Sequence, residues 1–157
     1  MKQFGNRTVD RAIYVALAYV YLAPILREIQ RVLPVKLNEA DWRFGAAGFL
    51  LAALSPSVLA LAGALLFAFI RGHQRIAWGI GVLSLVTALF AVAGVGTMLL
   101  DWGAVAAQVP QAGKAVLRAT AVGAIGTAIL GVAAFVVVFL SARGLVRHLD
   151  EQPPPVR

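Results

Sequence analysis

GAAGFLLAALSPSVLALAGALLFAFI, running from Gly45 to Ile70, decides the fold: it contains no Asp, Glu, Lys, Arg or His. An α-helix needs roughly 20 apolar residues to cross a hydrocarbon core of about 30 Å, so this run is long enough to span a bilayer. Two further runs, Ile76 to Leu100 and Ala119 to Ala142, are equally free of ionisable side chains. The fold class this predicts is an all-α integral membrane bundle. Intramembrane charges, which commonly mark ion paths and proton relays, occur in none of the three runs.

A fourth apolar stretch, Ala12 to Leu26, is shorter and gives about 22 Å of helix at 1.5 Å per residue. Arg11 and Arg27 bracket it and can snorkel outward, while Tyr14, Tyr19 and Tyr21 offer amphipathic rings for the headgroup zone. It reads as a first span, short and either tilted or peripheral. A signal peptide is the weaker reading, because cleavage after Ala16-Leu17-Ala18 would cut the apolar run in half. The spans expected are about 9–27, 45–70, 76–100 and 117–142, with 143–157 as a cytoplasmic tail ended by Pro153, Pro154 and Pro155.

The connections have their own signals. Pro34 stops the first helix, Asn38 reads as the cap of the second, and Arg71 to Arg75 is short enough to force a tight hairpin. Asp101 to about Lys114, with Gly103, Pro110 and Gly113, reads as a loop. Trp42, Trp78 and Trp102 stand at span ends, where indole rings anchor helices to the interface.

With 157 residues and 61% hydrophobic content, the chain has room for one membrane domain and no separate soluble one. It has no cysteine, which excludes disulfides and thiolate chemistry. A net charge of +7 would suggest nucleic acid in a soluble domain. Here the basic residues flank apolar runs, so the reading is no nucleic acid, with topology and anionic lipids as their use. Lys2, Arg7, Arg11, Arg71, Arg75, Arg143, Arg147 and Arg157 fall on one side of four spans. Arg27, Arg31, Lys36, Arg43, Lys114 and Arg118 fall on the other. The basic majority predicts both termini in the cytoplasm, and the Arg- and Ala-rich composition suggests a bacterial inner membrane.

Small residues or proline recur every fourth position in the second span, at Gly48, Ala52, Pro56, Ala60, Ala64 and Ala68. The fourth span has a comparable row in Ala115, Ala119, Gly123, Thr127 and Gly131. Such rows let helix backbones approach closely, so both are read as packing surfaces. Pro56 removes a backbone hydrogen bond near the middle of its span, with Ser55 or Ser57 placed to help satisfy the backbone. Thr87 and Thr127 lie at similar depth and read as interhelical hydrogen-bonding groups.

The two histidines, His73 in the tight hairpin and His148 after the last span, are the candidates for haem or pigment ligation. Neither projects from the interior of a span, so both read as solvated. No cofactor is predicted, although bound lipid and contact with pigment or haem through partner subunits fit the reading. No nucleophile stands beside a base and no glycine pattern makes a phosphate cradle, so no enzyme activity is expected. The function expected is a non-catalytic accessory or scaffold subunit of a larger membrane complex, in energy transduction or transport, with other membrane subunits as partners. The alternative is a small oligomeric channel, transporter or holin-like pore, for which Pro56, Thr87 and Thr127 would supply the polar face.

Overall fold

The computed structural model describes residues 7–150, the side chains of residues 148–150 excepted. Residues 151–157, most of the expected tail, lie outside the described residues. Among the described residues the chain is an all-α bundle of five helices: α1 (Arg7–Arg31), α2 (Ala40–Ala52), α3 (Leu54–Arg71), α4 (Gln74–Gln108) and α5 (Gln111–Asp150). Since α2 and α3 continue each other across Ala53, they form one crossing. Four segments are long and apolar enough to cross a membrane: Arg7–Arg31, Ala40–Arg71, Gln74–Gln108 and Gln111–Arg147. The bundle is that of an integral membrane protein.

Packing is most extensive between α4 and α5. Along α4 the buried residues Ala77, Ser84, Ala91, Met98 and Val105 advance in steps of seven, as do Ala121, Ala128, Phe135 and Ala142 along α5. Seven residues make two turns of a slightly supercoiled helix, so each series keeps to one face over its whole length. Lipid chains are as apolar as leucine, so helices in a bilayer associate through close van der Waals fit. Alanine, serine and glycine permit that fit. A Cβ placed on Gly81 would come within 3.0 Å of Ala142 Cβ, so α4 and α5 approach to backbone distance here.

The α2–α3 crossing lies across this pair. A Cβ on Gly94 would meet Leu51 at 3.3 Å, and one on Gly131 would meet Leu54 at 3.5 Å, so both sides of the break are held by close contacts. Of the expected row on this crossing, Ala60, Ala64 and Ala68 are buried, Gly48 and Pro56 are half-buried, and Ala52 is exposed. Helix α1 packs mainly on α3, with Leu17 against Gly63, and shows lipid a face that includes Val15, Tyr19 and Leu22. It is peripheral as expected, but it is not short: its 25 residues reach about 37 Å.

Three local expectations are corrected. Asn38 is not the cap: Glu39 precedes α2, makes no side-chain cap bond, and pairs with Lys36 at 3.1 Å. Asp101 to Lys114 is not a loop, because α4 continues to Gln108 and α5 starts at Gln111. The stretch after Asp101 is alanine-rich and favours helix, whereas Pro110 holds Val109 extended and turns the chain. Tyr21, expected in the headgroup zone, is buried among the helices. The Arg71–Arg75 hairpin is as tight as its sequence suggests. Gly72 takes φ 67°, and the Gly72 and His73 amides donate to Phe69 O and Ala68 O, closing α3 in a Schellman turn.

Helices α4 and α5 run past the hydrocarbon thickness. From Asp101 to Gln108, α4 adds about 12 Å beyond its apolar run, and the start of α5 rises beside it.

Ala128 is fully buried in the α5 series, whereas Gly123 has nothing within 4 Å of an added Cβ. Ala128→Leu is expected to destabilise the purified chain by about 1–3 kcal/mol through overpacking. Gly123→Leu should leave stability unchanged or raise it by up to about 1 kcal/mol through helix propensity. Thermal unfolding in detergent measures both.

Candidate functional site

Among the described residues, polar contacts between helices gather at three levels, each joining helices distant in sequence. The middle level contains Tyr21 of α1, Ser57 of α3 and Thr87 of α4, all buried. The Thr87 hydroxyl donates to Leu83 O at 2.8 Å, so the Tyr21 hydroxyl must donate to Thr87 Oγ1, 2.7 Å away. Ser57 donates to Ala53 O at 2.9 Å and faces Tyr21 O at 3.3 Å. The Ser57 bond is the same i−4 bond to its own helix that Ser84 and Thr87 make; Pro56 beside it has no N–H to give to Ala52 O, and the helix breaks at Ala53.

At the end of the bundle that carries the α3–α4 turn, Arg71 Nη2 lies 2.7 Å from Asp10 Oδ1. The same guanidinium stands 5.6 Å from the centroid of the Phe67 ring, and Tyr14 meets Phe67 edge-on at 5.1 Å. Tyr14 Oη is 2.9 Å from His73 Nδ1. His73 is therefore half-buried and hydrogen-bonded where a solvated imidazole was expected. The side chain of His148 lies outside the described residues.

At the opposite end Arg43 grips Asp101 with both prongs of its fork, Nε to Oδ2 at 2.8 Å and Nη2 to Oδ1 at 2.6 Å. Its third donor reaches Leu37 O, tying in the α1–α2 connection. Beside it Phe44 meets Trp102 at 6.0 Å between ring centroids, and Trp42 Nε1 donates to Val32 O at 2.9 Å. Trp42 and Trp102 thus bind parts of the chain together, and Trp78 remains 54% exposed.

The chain matches no family model, no curated protein and no solved structure.

The remaining residues expected from the sequence are not brought together. Ala119 and Gly123 face outward from α5, and Thr127 bonds its own helix at Gly123 O, 2.9 Å away. Only Gly131 of that row is buried against another helix. Thr87 faces Tyr21, so Pro56, Thr87 and Thr127 do not form one polar face. Among the described residues no three His, Asp or Glu side chains gather as a metal-binding group. The sequence reading missed both Arg–Asp pairs. Their signal was present: Arg43 and Asp101, like Asp10 and Arg71, are opposite charges at span ends that a four-span topology places on the same side.

Bidentate arginine pairs fix both distance and angle between their carriers. Arg43→Gln and Asp101→Asn should each lower the thermal unfolding temperature in detergent. The double variant should lose less than the two single losses combined, since each single change strands the other partner. Strict additivity would mean that the pair does not couple α2 to α4.

Proposed function

We propose that this chain is a non-catalytic accessory or scaffold subunit of a larger membrane complex, in energy transduction or transport. The observation that carries the reading is the outward row Ala115, Ala119 and Gly123 on α5. Small residues at four-residue spacing favour close helix approach, yet α5 turns this row away from its own bundle and leaves open space at Gly123. The buried hydroxyls and the Arg43–Asp101 pair meanwhile find their partners within the chain, which favours a packing role over a polar path through it. The partner is therefore another membrane helix that packs along the first half of α5.

Gly123→Leu tests this directly, because the isolated chain should tolerate it. The chain extracted from its native membrane in mild detergent is expected to run with a second chain in fixed stoichiometry. Gly123→Leu should release it, and deletion of the chain should deplete that second chain from the membrane. A homo-oligomer that conducts ions in liposomes would instead support the pore reading.

Orientation belongs to the same proposal, with both termini in the cytoplasm of a bacterial inner membrane. What supports it is the basic majority at the N-terminus, the α3–α4 turn and the C-terminus. A cysteine replacing Asn38 should react with an impermeant reagent added outside intact cells, and one replacing Gln74 should be protected. The reverse pattern would invert the chain.

A further inference from the structure

Between the first turns of α4 and the last turns of α5 lies a cleft of about 480 Å³. That is within the roughly 300–1,000 Å³ usual for ligand pockets. Its deeper part is formed beside Phe139 and Gly81, while Trp78, Arg143 and Arg147 line the end nearer the aqueous edge. Gly81 has no side chain to fill the space: a Cβ there would lie 3.6 Å from the Phe139 ring.

The cleft therefore changes character along its length. Arg143 follows the last apolar run directly, and Arg147 is one turn further out on the same face of α5. Both are exposed. Trp78 begins the third apolar run and presents its indole at the same level from α4, where such rings meet ester and glycerol groups. Of the carboxylates whose side chains are described, Asp10 is the one at this end of the bundle, and Arg71 already holds it. Two guanidiniums above an aromatic, apolar floor complement a molecule with an anionic head and a hydrocarbon tail.

We propose that this cleft binds the headgroup of an anionic phospholipid, with Arg143 and Arg147 taking the phosphate and Trp78 and Phe139 flanking the start of an acyl chain. The site is independent of the α5 row assigned to a partner, which lies toward the other end of that helix. Two cations near a charged membrane surface favour anionic over zwitterionic lipid by about thirtyfold, about fivefold from each.

The test is native mass spectrometry of the delipidated full chain in neutral detergent, titrated with phosphatidylglycerol or with phosphatidylcholine of the same acyl chains. Circular dichroism checks that each variant is folded. Phosphatidylglycerol is expected to bind about thirtyfold more tightly than phosphatidylcholine. Arg143→Gln should weaken it about fivefold, and Arg143→Gln with Arg147→Gln should abolish the preference. Val146→Trp, which fills the cleft without changing its charge, should also weaken binding. Arg75→Gln, an exposed cation at the same end but outside the cleft lining, should have no effect. Unchanged preference in the double arginine variant overturns the proposal, as does an Arg75→Gln loss equal to it, which would mean diffuse surface charge. Full displacement of the lipid by millimolar inorganic phosphate also overturns it, in favour of a soluble phosphate ligand.

Discussion

Close approach between α4 and α5 is the condition on which the rest of the bundle rests. In a bilayer the separated helices are already in an apolar solvent, so adhesion comes from fit between surfaces. Gly81 against Ala142 shows that fit, and the buried series of Ala77, Ser84, Ala91, Met98 and Val105, and of Ala121, Ala128, Phe135 and Ala142, runs along the two helices. The broken α2–α3 crossing can then close on the pair through Leu51 and Leu54, and α1 can close on α3 through Leu17. Bulk introduced between α4 and α5 would disturb the most extensive contact in the bundle, whereas α1 packs mainly on α3.

Polar contacts complete what shape begins. An apolar seam alone tolerates sliding, because neighbouring registers of alanine look much alike. Arg43–Asp101 and Asp10–Arg71 fix the two ends of the bundle, and Tyr21–Thr87 fixes its middle. Each of these contacts needs one register, and together they reach from α1 and α2 to α3 and α4. The break at Ala53 fits the same scheme: just past it Ser57 bonds Ala53 O in its own helix and faces the backbone of α1 at Tyr21 O.

Membrane character, the number of crossings and the Arg71–Arg75 hairpin were legible in the sequence because each follows from length, hydropathy or a single glycine. The packing faces were legible only in part. Alanine-rich helices contain small residues at both four- and seven-residue spacing, and composition does not say which series turns inward. On α3 the two coincide at Ala60, Ala64 and Ala68; on α5 they diverge, burying Ala121 and Ala128 and exposing Ala119 and Gly123. Charges at span ends read as headgroup contacts, so Asp101 seemed to begin a loop. Its partner Arg43 lies 58 positions away, beyond the reach of any local pattern. His73 was misread for the same reason, since the Tyr14 hydroxyl that meets it comes from another helix.

The overhang of α4 and α5 gives the molecule a mechanical character that its buried parts do not show. A helical hairpin held along a continuous seam is a stiff rod, and about 12 Å of it stands clear of the apolar layer. Its tip, at Val109 and Pro110, is thus carried at a fixed height set by helix rise, whatever the loops around it do. Because the base of the rod is clamped by Arg43 and Asp101 at the rim of the bundle, a force applied at the tip would act on a short lever whose fulcrum is that ion pair. That pair joins the rod to α2 and, through Leu37 O, to the α1–α2 connection.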